Sequence, residues 1–259
     1  MSIFQIDSIK LNLIEAGRGQ PVFFLHGLGS CGEDWLLQMP VFEQCFRVIA
    51  PDFRGHGHSE PGGRMTIARL AQDIVELMIA LEIPSAHVVG WSLGGLVAQQ
   101  LAIDFPDRVQ RLVLVNTFAH LWPTNAPEAL ILARRAVTSI FLPIQTTARI
   151  VAFDLFPKTD QAVLRDLVVS RVGGNNVHEY RNFIRAIRAF DLRRKLDHIQ
   201  APTLVITGEH DKVVPRGCQL QLVRSIPQAE WKLIQDSGHA TPIDQPDEFN
   251  HVVMEFLKG

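Results

Sequence analysis

Gly90-Trp91-Ser92-Leu93-Gly94 stands between an apolar strand, His87-Val88-Val89, and an apolar helical stretch that continues Gly95-Leu96-Val97-Ala98. A serine carried on so abrupt a strand-to-helix turn must adopt a strained backbone, and only small flanking residues let the chain pass there. The turn holds the Ser92 hydroxyl clear of a sheet edge and aims the following backbone N–H at any oxyanion that develops beside it. Ser92 is therefore the candidate nucleophile, and the strand before it and the helix after it set the pattern sought in the rest of the chain.

That pattern extends in both directions. Residues 4–14 read as an opening hairpin, and 21–25 and 47–50 as short apolar strands. A helix is expected over 66–81, where Leu70, Ile74, Leu77 and Leu81 recur at helical spacing. Strands at 87–89 and 112–115 flank the helix after Ser92; further strands follow at 203–206 and 231–234. Residues 246–257 form a terminal amphipathic helix with Phe249, Val252, Val253 and Phe256 inward. Strands alternating with helices predict a mostly parallel, eight-stranded sheet covered on both faces. The rhythm stops between the sixth and seventh strands, where helices are expected over 127–141, 161–172 and 177–190, with breaks at Pro143, Pro157 and Gly173-Gly174. The chain is accordingly expected to be one domain, 1–259, with a core of 1–117 and 198–259 and a helical cap inserted over about 118–197.

Composition narrows the function classes. A chain of 259 residues, 47% hydrophobic and 20% charged, suits a single large core rather than disorder. A formal charge of −2 gives no electrostatic reason to expect nucleic acid. The uncharged stretch 87–103 contains the glycines, Ser92 and two glutamines, and reads as a buried strand and helix rather than a membrane span. Residues 1–20 lack the basic start and apolar run of a signal peptide. Cys31, Cys45 and Cys218 are an odd number with no metal-type spacing, so a reducing cytoplasm is expected and no metal site.

A serine hydroxyl needs a base to take its proton and a third group to hold that base. Gly208-Glu209-His210-Asp211 follows the strand at 203–206, and Asp236-Ser237-Gly238-His239 follows the strand at 231–234. In a parallel sheet both loops emerge at the carboxyl edge, where Ser92 emerges too, and the order Ser92, Asp211, His239 is the one expected for this architecture. Among 10 histidines His239 is singled out by its place after the last strand; Glu209 is the neighbouring rival for the acid. After the sixth strand stands Asn116-Thr117, which offers no competing carboxylate. His26-Gly27-Leu28-Gly29, after the strand at 21–25, reads either as a plain glycine-rich turn or as the second half of an oxyanion hole in which the N–H of Leu28 joins that of Leu93.

Taken together, the His26–Gly29 loop, Pro51-Asp52-Phe53-Arg54-Gly55-His56-Gly57-His58-Ser59, the Ser92 elbow, Asp211 and His239 resemble the landmarks of the α/β-hydrolase superfamily over essentially the whole chain. The resemblance implies that residues 51–59 are chiefly structural, with Asp52, Arg54, His56 and His58 as turn and packing groups. A serine elbow departs from the haloalkane dehalogenases and epoxide hydrolases of this fold, which use aspartate there. The stretch 90–98 is similar to the elbow of the pimeloyl-carrier-protein methyl esterases of biotin synthesis, which implies an acyl carrier protein partner meeting a basic cap.

Between 120 and 195 Lys and Arg outnumber Asp and Glu, and elsewhere the reverse holds. Arg181, Arg185 and Arg188 fall on one helical face and Arg134 and Arg135 on another, either as solvated outer faces or as a docking patch. His26, Trp91, Trp122 and Phe141 are taken as substrate contacts. With Leu121, Leu142, Phe153 and Phe156, the cap residues among them serve either an acyl pocket or the cap's own packing. The expected activity is serine-dependent hydrolysis of carboxylic esters without any cofactor. Lactone (including 3-oxoadipate enol-lactone) or carbon–carbon bond hydrolysis, perhydrolysis, and a non-enzymatic small-molecule receptor are the alternatives.

Overall fold

The computed structural model describes residues 2–7, 9–63, 65–123 and 125–259. Eight strands, β1 (Ser2–Ile6), β2 (Ile9–Ala16), β3 (Gln20–Leu25), β4 (Phe46–Pro51), β5 (Ala86–Trp91), β6 (Val109–Val115), β7 (Thr203–Gly208) and β8 (Ala229–Ile234), form one sheet in the order β1-β2-β4-β3-β5-β6-β7-β8. The first two strands pair antiparallel, as does β2 with β4; every later pair is parallel. The chain adds β4 on one side of β3 and β5 on the other, so the connections leaving the parallel carboxyl ends of β3 and β5 diverge and a crevice opens there at the centre of the sheet.

The ten described helices are α1 (Met39–Phe42), α2 (Ile67–Ala80), α3 (Leu93–Asp104), α4 (Ala126–Phe141), α5 (Ile144–Leu155), α6 (Ala162–Gly174), α7 (Val177–Arg188), α8 (Arg216–Ser225), α9 (Thr241–Asp244) and α10 (Pro246–Lys258). Because successive side chains of a strand point to opposite faces, the central strands feed two cores at once. Phe23 and Leu25 of β3, Val88 of β5 and Leu112 and Leu114 of β6 pack with α2, α3 and α8 on one face. Phe24, Val89, Trp91, Val113 and Val115 pack on the other with Trp35, Phe42 of α1 and Phe249 and Val253 of α10. Thr66 caps α2 by accepting a bond from the Arg69 N–H at 3.0 Å.

Helices α4 to α7 occupy the connection between β6 and β7, the place expected for the insertion. Here the structure adds detail. Ile144–Leu155 is a separate helix, and Gly173-Gly174 forms the last residues of α6 rather than a break before its end. The insertion lies over the loop after β3: a Cβ on Gly29 would come within 3.1 Å of Val172 and 3.2 Å of Tyr180, and Gly29 has φ of +74°, a conformation that favours glycine. No helix among the described residues is long and apolar enough to cross a membrane.

Candidate active site

Ser92 sits at φ 54°, ψ −111°, a backbone strained for any L-residue. Its neighbours make that conformation attainable. A Cβ on Gly90 would run into the carbonyl of Gly94, one on Gly94 into the carbonyl of Leu25, and one on Gly95 into the side chain of Thr117. The turn is then held by the Ser92 N–H donating to Val115 O at 2.9 Å and the Thr117 hydroxyl donating to Ser92 O at 2.8 Å.

The three loops predicted to converge do so. Ser92 Oγ lies 3.0 Å from His239 Nε2, and His239 Nδ1 lies 3.1 and 3.0 Å from the two carboxylate oxygens of Asp211. The side chains of His239 and Asp211 are almost wholly buried. A proton on Nδ1, shared with Asp211, leaves Nε2 bare and facing the serine hydroxyl, which is the tautomer a general base requires. Glu209, the rival acid, instead accepts the Asp236 N–H at 3.0 Å on the exposed rim.

Asp211 is itself fixed. Oδ1 accepts the N–H groups of Val213 (2.7 Å) and Val214 (3.1 Å), and Oδ2 accepts the amide of Gln219 at 2.9 Å. His239 is fixed from behind by Trp91, whose indole N–H donates to His239 O at 2.8 Å, and by Asn116, whose amide donates to His239 O (2.7 Å), Gly238 O (3.2 Å) and the Thr241 hydroxyl (2.7 Å). Asn116 Oδ1 accepts the Gly208 N–H at 2.8 Å, so one side chain ties together the ends of β6 and β7 and the loop after β8. Neither Gln219 nor Asn116 was singled out as functional in the sequence. The one signal for Asn116 is its residue type, since asparagine tolerates the left-handed backbone it adopts here at φ 46°.

Beside the serine, the loop after β3 comes close enough that a Cβ on Gly27 would lie 3.7 Å from Ser92 Cβ. Among the described residues neither the Leu28 nor the Leu93 N–H has a hydrogen-bond partner, which leaves an unpaired donor on each of the two segments that meet at Ser92. The loop carrying Leu28 is braced by two buried histidines. His26 Nε2 accepts the Phe53 N–H at 3.0 Å, and His56 Nε2 accepts the Gly29 N–H at 3.1 Å. Burial pushes their pKa down, to about 4 for His26 and about 3 for His56, so each ring is neutral and keeps a lone pair for the backbone donor. His26 is thus a bracing group inside the core, out of reach of a substrate. Asp52 has the structural part expected of it, accepting from Gly32 N (2.7 Å), Asn12 Nδ2 (2.9 Å) and His58 N (2.8 Å). Arg54 likewise forms a buried two-pronged pair with Asp73 at 2.5 Å.

A small cavity of about 40 Å³ adjoins the elbow. Trp91, Leu28, Phe156, Leu164, Val168 and Val172 give it apolar walls, and Ser30, Asp34 and Arg171 make one polar end. Two of the side chains expected to contact substrate are elsewhere. Trp122 is 65% exposed and stacked on His120, and Phe141 is 74% exposed; neither lines the cavity. Both sit where the insertion turns outward, so their apolar surface faces solvent instead of Ser92. Leu121 packs on the main core, Phe153 is exposed beneath Arg165, and Phe156 does reach the cavity.

Arg181, Arg185 and Arg188 line a separate open groove of about 380 Å³ with Ile140 and Ile184. Arg134 and Arg135 are taken up internally: Arg134 grips Asp154 at 2.7 and 2.9 Å, and Arg135 donates to Val213 O at 3.0 Å. Among the described residues there is no cluster of His, Cys, Asp and Glu able to hold a metal ion.

A doubly covered sheet with this strand order and a serine elbow at its centre defines an α/β-hydrolase architecture. The chain belongs to the α/β hydrolase fold family, whose model matches residues 20–246. It is 31% identical over 282 aligned positions to the putative carbamate hydrolase RutD of Caulobacter vibrioides, covering 100% of this chain and 98% of the relative. It is 30% identical to 3-oxoadipate enol-lactonase 2 of Acinetobacter baylyi, covering 96% and 94%. Among solved structures, the enol-lactonase from Burkholderia xenovorans LB400 superposes over the whole of both chains with a TM-score of 0.89 at 29% identity.

Proposed function

We propose that the chain is a serine hydrolase of small, short-acyl carboxylic esters, acting through an acyl-enzyme. The observation that carries this reading is the unbroken relay from Asp211 through His239 to a serine hydroxyl on a strained elbow. In the first half-reaction His239 Nε2 takes the Ser92 proton as Oγ attacks the carbonyl carbon. The N–H groups of Leu28 and Leu93 stabilise the oxyanion, and Asp211 holds the imidazolium. Collapse expels the alcohol, protonated by His239. Water then enters by the same route, releases the acid and restores Ser92.

In this reading 1–259 is one domain, residues 118–197 act as a cap that selects the acyl group, and Trp91 meets the substrate as a cavity wall. The cavity walled by Trp91 and Leu28, the neighbours of Ser92 and of the proposed oxyanion donors, is small, which favours a short acyl chain on a free small molecule over a long one delivered by a carrier protein. Hydrolysis of a lactone is a second reading, supported by the names of two relatives; ring opening uses the same steps with the alcohol retained on the product.

The test is hydrolysis of p-nitrophenyl acetate and butyrate by the purified chain and by Ser92→Ala. A loss of at least about 10³-fold in kcat/KM is expected for the variant. Undiminished activity in Ser92→Ala would sink the nucleophile assignment, and a chain that binds such compounds without turnover would be a receptor.

A further inference from the structure

The polar end of the cavity is built around one cation that is already paired. Arg171, on α6 of the insertion, donates to Glu33 at 2.9 Å and lies 3.0 Å from Asp34, so one guanidinium serves two carboxylates. Its third close partner is the Cys31 sulfur, and Asp34 also accepts the Ser30 hydroxyl. Arg171, Asp34 and Ser30 all face the cavity, on the side of the Leu28 loop. Among the described residues no other lysine, arginine or histidine lines it.

Resting on the hydrolase reading above, we propose that Asp34 and Arg171 make this cavity a selector for acyl groups ending in a neutral hydrogen-bonding function, such as a primary amide or a hydroxyl, and against acyl groups ending in a carboxylate. A substrate carboxylate reaching this end meets Asp34 before it meets any free cation, and to use Arg171 it must displace a carboxylate already in place. A neutral amide meets complementary groups, because Asp34 accepts its N–H and the Ser30 hydroxyl or an outer Arg171 N–H approaches its carbonyl. Burial raises the Asp34 pKa while Arg171 and the Ser30 hydroxyl favour its carboxylate, and the like-charge rejection operates in the ionised state. Ionised, the cluster has a net negative charge; protonated, it is neutral, since Glu33 still balances Arg171. Neither state provides an unpaired positive charge. Like-charge juxtaposition at a desolvated wall costs far more than a missing contact, so the discrimination is mainly rejection.

The experiment compares two isosteric methyl esters, methyl succinamate and monomethyl succinate, by methanol release at neutral pH, with methyl butyrate as the reference for the reaction itself. The wild type should prefer the amide by at least tenfold in kcat/KM. Asp34→Asn should cut that preference fivefold or more, read as the ratio of the two kcat/KM values. Glu33→Gln, at a half-buried position, should shift the ratio the same way by less, which covers the case of a poorly folded Asp34 variant. A second readout needs no turnover: succinamide should quench Trp91 fluorescence in Ser92→Ala at lower concentration than succinate. Equal or better use of the carboxylate by the wild type, equal quenching by both ligands, or a ratio untouched by both variants overturns the proposal. Loss of methyl butyrate hydrolysis together with selective succinamide binding would instead overturn the hydrolase reading and leave the selector standing.

Discussion

Both carboxylate oxygens of Asp211 are occupied before the imidazole is counted, one by two backbone N–H groups and the other by Gln219. Backbone donors cannot be mutated away, but Gln219 can. Its amide also donates to Val214 O at 3.1 Å, so it stiffens the acid loop as well as the acid. Gln219→Leu should lower kcat for ester hydrolysis about tenfold with KM little changed. The expected stability loss is about 1–2 kcal/mol, the range for two lost hydrogen bonds at a buried site. Steady-state kinetics alongside urea unfolding would check both halves, and a variant with wild-type kcat would show that the backbone donors suffice. Trp91 teaches a similar lesson beside the nucleophile. Its indole N–H is committed to the carbonyl of His239 and only its ring is presented to the cavity.

Among elements, the decisive joint is where β6, β7 and the loop after β8 meet on Asn116. Asn116→Asp replaces an amide that donates to three acceptors with a carboxylate aimed at two carbonyl oxygens. We expect it to destabilise the fold by about 2–4 kcal/mol at neutral pH, measured by urea unfolding, and not to supply an alternative acid for His239. The new carboxyl would have a folded pKa above its unfolded value. The deficit should therefore shrink as pH falls toward the unfolded carboxylate pKa of about 3.9 and grow as pH rises.

Such a joint is hard to see in sequence, because its partners are up to 125 residues apart. What could be read was local. Apolar runs located the central strands, and Ser92, Asp211 and His239 followed because each sits just past a strand and all parallel strands end at one edge. Helix α8 went unread because only Cys218, Gln219 and Leu222 of it are buried, which leaves a weak periodicity. Within the insertion, apolar character alone did not separate Phe156, which reaches the cavity, from Phe141, which points to solvent. That choice depends on how four helices are hung over the sheet.

At the scale of the molecule, two buried neutral histidines make stability depend on acid. His26 and His56 have folded pKa values of about 4 and about 3 against 6.5 for the free side chain. Between pH 6.5 and those values the unfolded chain binds protons that the folded chain excludes. Their contribution is thus complete above about pH 6.5 and is lost as pH falls toward 3. The loss should be about 3 kcal/mol for His26 and about 5 kcal/mol for His56, read as a falling Tm. His56→Gln, whose amide oxygen can still accept the Gly29 N–H, should flatten that decline; an unchanged slope would exclude His56 as its source.

The division between sheet and insertion has a further consequence. In the proposed hydrolase, nucleophile, base, acid and both oxyanion donors belong to the ends of β3, β5, β7 and β8, whereas Phe156, Leu164, Val168, Arg171 and Val172 come from the segment between β6 and β7. Much of selection is therefore written apart from reaction, although Ser30, Asp34 and Trp91 share in it, and a library confined to residues 144–174 would vary the molecules admitted while leaving the proposed bond-breaking step as it is.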